Sequence, residues 1–403
     1  MEDFLFPYPE PRKIQKALMA QIKSCIENKQ NLIAHAPTGL GKTIGFLAPA
    51  LEYALNRELT LFFLTPKHSQ HNIAVETLKL IRSKFNLDFQ IVDFIGKKHM
   101  CLQPGVGLLQ NGEFQEYCRD LRKKDSCEFF TNLKNKTLRE PCLKQTSIPL
   151  HVEELNSVCR EHELCPYEIA ALQGKKAKVI VADYYHILSP QVRESLFNRI
   201  QKETSECIIY FDEAHNLPEK CRNLLTENLS TLILDRALKE NKFFNFDYEN
   251  DLLEMSNNVS KLSKKIPIEK TEALVKKDEF TFDTTLIELM REAADIVRET
   301  QKKSSFGSVA TFLEKWNGSD DGFVRIIQRK FAKTGKFYFN LIYRCLDPSI
   351  LINKLEAYSM IFMSGTLSPV SMYLDLLGLK EKNTVVAEYN DPFPKLNRLN
   401  LIV

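Results

Sequence analysis

An octapeptide near the N-terminus has the composition of a phosphate-binding loop. It reads Ala36-Pro-Thr-Gly-Leu-Gly-Lys-Thr43, and it lies between an apolar run and a helical pattern. The glycines permit a tight turn whose backbone N–H groups face phosphate oxygens. Lys42 places a cation on the β- and γ-phosphates, and the Thr43 hydroxyl suits Mg²⁺. We therefore predict that ATP and Mg²⁺ bind to Ala36, Pro37, Thr38, Gly39, Leu40, Gly41, Lys42 and Thr43.

Two adjacent carboxylates end a later apolar run, in the sequence Asp212-Glu-Ala-His215. In P-loop ATPases the first carboxylate holds Mg²⁺, and the next one polarises the attacking water. We assign these roles to Asp212 and Glu213, so that the predicted catalytic residues are Lys42, Asp212 and Glu213. Three further residues are predicted to couple the nucleotide state to movement: His215, Ser364 and Thr366.

A polar group just before the first apolar run contains Arg12 and Gln15. The amide of a glutamine can pair with both a donor and an acceptor on the edge of adenine. We expect both residues to contact bound ATP. A solvated helix start has the same composition, and the sequence leaves that alternative open.

Hydroxyl, amine and amide groups follow the second apolar run, at Thr65, Lys67 and Gln70. Such groups suit contacts with the phosphates of a nucleic-acid strand. We predict that they bind DNA, and an ordinary polar turn between a strand and a helix is the alternative.

Six of the ten cysteines are clustered in residues 101–165, a stretch that lies between the phosphate loop and the carboxylate pair. The N-terminal sequence is acidic and proline-rich, unlike a secretory signal, so we expect a cytoplasmic protein. In that compartment clustered cysteines indicate metal or redox ligands before they indicate disulfides. Thiolates bind both zinc and iron–sulfur clusters, and the long spacings lack the paired C-x2-C knuckles of common zinc modules. The candidates are Cys101, Cys118, Cys127, Cys142, Cys159 and Cys165.

Length and charge limit the interpretation. The 403 residues predict two or three domains, and the net charge of only +3 means that nucleic-acid binding requires local basic patches. No apolar run reaches about 18 residues, so no membrane span is expected.

Alternating strand and helix patterns predict an α/β domain with a mostly parallel sheet. The apolar runs typical of buried strands are Asn31–His35, Leu59–Thr65, Lys178–Asp183, Cys207–Phe211 and Met360–Met363. Two stretches interrupt the alternation. Residues 97–168 are rich in cysteine and charge, and residues 225–340 have helical patterns throughout.

Two groups of cationic and aromatic residues are candidates for nucleic-acid contacts. Lys97, Lys98 and Tyr167 flank the cysteines, and Tyr167 is predicted to stack on a base unless it packs inside the domain. The second group is a basic run that favours a strand-binding patch, with a solvated basic helix face as the alternative. It contains Arg325, Arg329, Lys330, Lys333 and Lys336, interleaved with Phe331, Phe337 and Tyr338.

Seven motifs, in this order, resemble those of the XPD-type group of superfamily 2 DNA helicases, and its archaeal members most. They are PYPEPRKIQ, APTGLGKT, TPKHSQ, KKHMC, LCPYE, FDEAHN and SGTLSP. In that family four cysteines hold a [4Fe–4S] cluster. The resemblance implies the spacing C-x16-C-x8-C-x37-C, with Cys142 as the rival of the third ligand and Cys159 as a bystander. The implied ligands are Cys101, Cys118, Cys127 and Cys165.

The resemblance also implies a RecA-like P-loop motor domain, interrupted by a small iron–sulfur domain and a mainly helical arch domain. The motor domain is predicted to comprise residues 1–96, 169–224 and 341–398. The iron–sulfur domain is predicted at 97–168, the arch at 225–340, and the start of a second motor domain at 399–403.

The activity that the resemblance implies is an ATP-dependent 5′→3′ DNA helicase. It would couple Mg-ATP hydrolysis to translocation on single-stranded DNA and to unwinding, in nucleotide excision repair. Single-stranded and forked DNA, and proteins of repair or transcription, are the implied partners, and a monomer is expected. Alternatives are a DinG- or FANCJ-like helicase of another pathway and a DNA- and partner-binding scaffold with little ATPase activity.

Helicases of this superfamily take arginine fingers from a second motor lobe, in a motif of the Q-x-x-G-R-x-x-R type. The sequence does not contain that motif. An arginine finger contributes about 10³–10⁵ in rate. We therefore expect this chain to be a fragment that binds ATP weakly and hydrolyses it poorly.

Overall fold

The computed structural model describes residues 4–109, 111–301, 303–332 and 335–393. The predicted start of a second motor domain and Lys333 lie outside these residues. The strands are β1 (Asn31–His35), β2 (Thr60–Thr65), β3 (Ile91–Phe94), β4 (Val179–Asp183), β5 (Cys207–Asp212), β6 (Glu227–Ser230), β7 (Glu272–Leu274), β8 (Phe323–Phe331), β9 (Phe337–Cys345), β10 (Ser359–Ser364) and β11 (Thr384–Glu388).

The helices vary in length from single turns to seventeen residues. They are α1 (Lys13–Glu27), α2 (Lys42–Leu55), α3 (His68–Lys84), α4 (Asn111–Lys123), α5 (Glu128–Thr131), α6 (Lys136–Gln145), α7 (Val152–Glu161), α8 (Pro166–Gly174), α9 (Tyr185–Leu188), α10 (Pro190–Ile200), α11 (Leu217–Leu225), α12 (Thr231–Phe244), α13 (Glu249–Ser263), α14 (Thr284–Thr300), α15 (Ser305–Trp316), α16 (Ser349–Ile352) and α17 (Val370–Leu376).

Seven strands form one parallel sheet in the order β11-β1-β10-β5-β2-β4-β3. Five of them are the predicted apolar runs, with ends that agree to within one residue. The prediction of an α/β fold with a mostly parallel sheet is therefore confirmed. β3 and β11 were not predicted, because β3 has a carboxylate in its middle and β11 is half-exposed at the sheet edge.

The chain divides into two compact units. The first unit comprises Met1–Leu108, Leu121–Pro218 and Ser349–Val403, and it contains the parallel sheet. The second unit comprises Leu109–Asp120 and Glu219–Pro348. Residue 340, the predicted end of the arch, lies inside β9, which pairs with β8 as far as residue 345.

The second unit is not helical throughout, contrary to the prediction. Four strands form an antiparallel sheet in the order β6-β9-β8-β7, and α12 to α15 contribute to the core behind it. The basic run lies on the β8–β9 hairpin rather than on a helix. The alternation of apolar and polar residues that predicts a strand is interrupted in β8, because Arg325 occupies an inward position and is only 4% exposed.

Candidate functional site

The predicted phosphate loop connects the end of β1 to the start of α2. Gly39 and Gly41 have φ angles of 83° and 86°, in the left-handed region that favours glycine. A Cβ atom on Gly41 would lie 2.5 Å from Gln15 Nε2, and one on Gly39 would lie 2.5 Å from the ring of Phe393. Both glycines are therefore needed for backbone conformation and for space. The loop precedes a helix N-terminus, the usual place for phosphate.

Arg12 and Gln15, which the sequence predicts to contact ATP, lie against this loop. Arg12 Nη1 donates a hydrogen bond to Gly39 O at 2.8 Å. Gln15 is buried, and its Oε1 accepts a hydrogen bond from the backbone N of Arg12 at 2.9 Å. The two residues support the loop at the first turn of α1. Phe393 also contacts the loop and was not predicted, because no pattern in the sequence relates it to residues 36–43.

The carboxylates at the end of β5 face the phosphate loop. Glu213 Oε1 is 3.9 Å from Lys42 Nζ, and Asp212 is buried beside it. Tyr210 donates a hydrogen bond to Asp212 Oδ1 at 2.9 Å, and Tyr184 donates one to the carbonyl of Asp212. Burial and the charge of Glu213 raise the pKa of Asp212 to about 6, against the opposite effects of Tyr210 and Lys42. Two tyrosines that the sequence did not single out therefore hold the predicted Mg²⁺ ligand.

Ser364, at the end of β10, joins the predicted coupling residues to the predicted base. Its Oγ donates a hydrogen bond to Glu213 Oε2 at 2.8 Å and lies 2.7 Å from His215 Nδ1. The backbone N of Thr366 donates a hydrogen bond to Ser364 Oγ at 3.2 Å. A Cβ on the intervening Gly365 would lie 3.2 Å from Thr38 Oγ1 of the phosphate loop. The end of β10 is thus in a position to respond to occupation of the loop.

The polar group after β2 presents less to solvent than its composition suggests. Thr65 is fully buried, and its hydroxyl donates a hydrogen bond to Gln70 Oε1. Lys67 is exposed at the start of α3, and Gln70 is half-buried. Of the three predicted DNA contacts, only the amine of Lys67 is fully presented to solvent.

The four predicted cluster ligands are described, but they are not assembled around a common point. Among the described residues, no group of three or more His, Cys, Asp or Glu side chains is placed to hold a metal. Burial raises the pKa of the Cys165 thiol to about 12, and the nearby Cys101 adds to that increase. The backbone N of Cys165 donates to Phe129 O at 2.9 Å, which places it near the chain after Cys127. The donor types are those that a cluster requires.

The two remaining cysteines of the stretch contact each other. The sulfur atoms of Cys142 and Cys159 are 4.0 Å apart, and both side chains are fully buried between α6 and α7. Two effects raise the pKa of the Cys159 thiol. The hydrogen bond with Cys142 makes the larger contribution, and burial makes the smaller one. These residues pack as a buried pair.

Tyr167 is not available to stack on a base, which corrects the prediction. It is 8% exposed, and its ring lies 5.3 Å from Lys97 Nζ and 5.8 Å from the guanidinium of Arg199. Glu168 accepts hydrogen bonds from Arg199 at 2.7 Å and lies 3.9 Å from Lys97. Tyr167 and Lys97 are therefore part of a half-buried charge cluster, and Lys98 is the half-exposed cation of this group.

Arg325 is likewise not a surface contact. Its guanidinium donates hydrogen bonds to Trp316 O at 2.9 Å and Gly318 O at 2.9 Å, and it forms an ion pair with Asp320. Arg329 donates to backbone carbonyls of residues 268 and 270. Lys330 is exposed, and it lies on the face of the antiparallel sheet opposite to that of Arg325 and Arg329.

Within the described ranges, no helix combines the length and the apolar character that a bilayer span requires.

Two protein families and several known helicases match parts of this chain. The DEAD_2 family matches residues 63–234, and the DEAD/DEAH box helicase family matches residues 12–103. The general transcription and DNA repair factor IIH helicase subunit XPD/RAD3 of Saccharomyces cerevisiae is 28% identical over 258 residues, covering 58% of this chain and 32% of that protein. The probable ATP-dependent helicase MJ0942 of Methanocaldococcus jannaschii is 32% identical over 237 residues, covering 59% of this chain and 32% of that protein. The match thus spans about a third of the length of these relatives.

Two solved structures share the fold. One described as an XPD helicase superposes with a TM-score of 0.64 at 22% identity, covering 94% of this chain and 63% of that chain. One described as a truncated XPD superposes with a TM-score of 0.61 at 20% identity, covering 93% of this chain and 99% of that chain. The chain is therefore similar to XPD-type and other DEAD/DEAH box helicases over residues 12–234, and it shares its fold with the two solved structures.

Proposed function

We propose that this chain is the nucleotide-binding part of an ATP-dependent DNA helicase. It binds Mg-ATP and couples hydrolysis to 5′→3′ movement on single-stranded DNA, with nucleotide excision repair as its pathway. The observation that carries the proposal is the continuous contact from Lys42 through Glu213 and Ser364 to His215. This contact joins a phosphate-binding cation, a candidate base and a strand end that lies against the loop.

Substitution of two residues tests the nucleotide part of the proposal. Lys42→Ala removes the cation that contacts the β- and γ-phosphates, and it should weaken binding of a fluorescent ATP analogue with Mg²⁺ by at least about tenfold, or ~1.4 kcal/mol. Glu213→Gln keeps the size of the side chain but removes the base, so it should retain binding and lower hydrolysis. The exposed Lys176→Ala is the matched control. Normal nucleotide binding by Lys42→Ala would refute the assignment.

A DNA- and partner-binding scaffold is the second candidate, because Lys67 and Lys330 are exposed independently of the nucleotide site. Single-stranded DNA should stimulate ATP turnover in the helicase, and it should leave turnover unchanged in a scaffold. The measurement compares turnover with and without a single-stranded oligonucleotide, by the chain joined to a second motor lobe that supplies the arginine finger.

We further propose that Cys101, Cys118, Cys127 and Cys165 bind a [4Fe–4S] cluster in residues 97–168. Four thiolates are the ligand set of such a cluster, and a cluster would stabilise a segment whose helices are short. The buried contact between Cys142 and Cys159 favours Cys127 as the third ligand. Absorption near 400 nm with stoichiometric iron and sulfide is expected, and a colourless, zinc-loaded protein would contradict it. Cys127→Ser should remove the absorption, and Cys142→Ser should leave it.

A further inference from the structure

Two buried cysteines of the first unit face each other across the contact between α6 and α7. The sulfur atoms of Cys142 and Cys159 are 4.0 Å apart, and neither side chain is exposed to solvent. A disulfide bond has a length of about 2.05 Å, so each sulfur atom has to move by about 1 Å to form one. Rotation of the two side chains about their Cα–Cβ bonds can supply that movement. The fold therefore places two thiols within reach of each other.

A second contact keeps α6 and α7 in the register that brings these sulfur atoms together. Gln145 lies three residues after Cys142, and His162 lies three residues after Cys159. Gln145 Oε1 is 3.0 Å from His162 Nε2. Residues three apart share one face of a helix, so both contacts lie on the same pair of helix faces. The two thiols therefore stay opposite each other as long as the ends of the helices stay together.

The two helices are anchored to different parts of the first unit. Gln173 on α8 donates a hydrogen bond through Nε2 to the carbonyl of Leu143, at 2.6 Å, in the last turns of α6. Glu154 on α7 forms an ion pair of 2.9 Å with Lys79 on α3. A bond between the sulfur atoms would join these two anchor points covalently. It would also close the chain between positions 142 and 159 into a loop.

The two thiols differ in how readily they ionise. The hydrogen bond from Cys159 lowers the pKa of the Cys142 thiol, and the same contact raises the pKa of Cys159. The thiolate is the form of cysteine that reacts with oxidants. Pro141 lies inside α6 and has no N–H to donate to the carbonyl of residue 137, so the turn before Cys142 has one helical hydrogen bond fewer. Local opening of this turn gives a small oxidant access to the buried pair.

We propose that Cys142 and Cys159 form a reversible disulfide bond when the protein meets a hydroperoxide, and that this bond locks α6 onto α7. The Cys142 thiolate attacks one peroxide oxygen, the O–O bond breaks, hydroxide leaves, and Cys142 becomes a sulfenic acid. The sulfur of Cys159 then attacks that of Cys142, its proton goes to the departing oxygen, and water leaves as the S–S bond forms. The hydroxide takes up the proton that Cys142 had released. Two thiols and one hydrogen peroxide thus give one disulfide and two waters, with two electrons passing from the sulfur atoms to the peroxide oxygens.

Peptide mapping of the whole chain, before and after treatment with hydrogen peroxide, tests the bond directly. Trypsin cuts after basic residues on both sides of each cysteine, so Cys142 and Cys159 fall on the separate peptides 140–144 and 145–160. After oxidation these peptides should be cross-linked, and dithiothreitol should release them. Cys207, which is fully buried and donates a hydrogen bond to a backbone carbonyl, should remain a free thiol. Unreacted thiols, or sulfinic acid at either position without the cross-link, would overturn the proposal.

Thermal unfolding tests whether the bond locks the helices. The midpoints of the wild type and of Cys159→Ser are compared, first reduced and then oxidised, so that effects of the substitution itself and of peroxide elsewhere cancel. Oxidation should widen the difference by about 5 °C in favour of the wild type, because the bond joins residues seventeen positions apart. Cys207→Ser, at another fully buried cysteine, is the matched control and should behave as the wild type does. A difference that stays constant or reverses would mean that the sulfur atoms bond only in a distorted state, which contradicts the lock.

The disulfide and the proposed iron–sulfur cluster have separate readouts. Neither Cys142 nor Cys159 is among the four proposed ligands, so Cys142→Ser and Cys159→Ser should each keep the absorption of the cluster and lose the cross-linked peptides. A loss of that absorption in either variant would assign the substituted residue to the cluster and overturn the disulfide. Cross-linked peptides in a wild-type chain that never binds iron would refute the cluster and leave the disulfide supported.

Discussion

At the scale of single residues, the glycines of the phosphate loop are constrained twice. Gly41 needs a positive φ, and a methyl group there would meet the amide of Gln15 at 2.5 Å. Gly105 has a similar φ of 77°, but nothing lies within 4 Å of its added Cβ. Gly105 therefore serves as a control position, where an added Cβ brings left-handed strain but meets no neighbouring atom.

Gly41→Ala should weaken binding of a fluorescent ATP analogue much more than Gly105→Ala. Both changes introduce left-handed strain of about 1–2 kcal/mol, whereas only the first displaces Gln15 and the loop. Titration of each variant at constant Mg²⁺ provides the measurement. If the two variants bind ATP equally well, the packing of Gln15 on the loop has no role in nucleotide binding.

Ser364 is the second residue whose geometry predicts a selective effect. Ser364→Ala removes the hydroxyl between Glu213 and His215 but leaves the phosphate loop intact. The affinity for ATP should stay within about twofold, and DNA-stimulated turnover should fall by about tenfold or more, which corresponds to ~1.4 kcal/mol in the barrier. Ser359→Ala, at the other end of β10, is the control. A loss of affinity with normal turnover of bound ATP would contradict a coupling role.

At the scale of secondary structure elements, the sequence predicts well where side-chain periodicity is undisturbed. Strands β1, β2, β4, β5 and β10 are continuous apolar runs, and the chemical groups that follow β1, β5 and β10 meet at one sheet edge. β3 was missed because Asp93 interrupts it, and the β8–β9 hairpin was missed because a buried arginine replaces an apolar residue. In both cases hydrogen-bond partners outside the strand make the charge tolerable, His71 for Asp93 and the residues 316–320 for Arg325, and periodicity cannot reveal such partners.

The carboxylate inside β3 makes the stability of the first unit pH-dependent. His71 Nδ1 on α3 is 2.5 Å from Asp93 Oδ1, and its Nε2 is 3.5 Å from Asp183 Oδ1. Burial alone would lower the pKa of His71, but the two carboxylates outweigh burial and raise it to about 9. His68, His151 and His186 also face these carboxylates.

His71→Gln should destabilise the first unit most at low pH. The stabilisation from charged His71 is complete below its ordinary pKa of 6.5 and is lost as the pH rises through about 9. At pH 6 the variant should lose on the order of 3–5 kcal/mol, because the buried Asp93 loses its nearest charged partner, and the difference should shrink towards pH 9. Urea unfolding monitored by circular dichroism at several pH values measures it. A difference that is independent of pH, or His162→Gln behaving in the same way, would contradict this account.

At the scale of the whole molecule, the two units have separate cores, and the second unit contains the tryptophan whose fluorescence can report on its unfolding. The single tryptophan, Trp316, is fully buried in the second unit. Phe280 packs against it with ring centroids 5.7 Å apart. Phe46 is a residue of equal size in the core of the first unit, where it stacks on Tyr210. Truncation of either ring therefore tests one core at a time.

Phe280→Ala should lower the midpoint of the unfolding transition seen by tryptophan fluorescence, since deletion of a buried phenyl ring costs about 3–5 kcal/mol. Below that transition its affinity for ATP should stay within about twofold of the wild type, because the nucleotide site lies wholly in the first unit. Phe46→Ala, the matched control, should leave the fluorescence midpoint unchanged. It should weaken ATP binding, because Phe46 lies on α2, the helix that begins at the end of the phosphate loop. If each change moves both readouts equally, the chain unfolds as one cooperative body, and the separate cores do not correspond to separate units of stability.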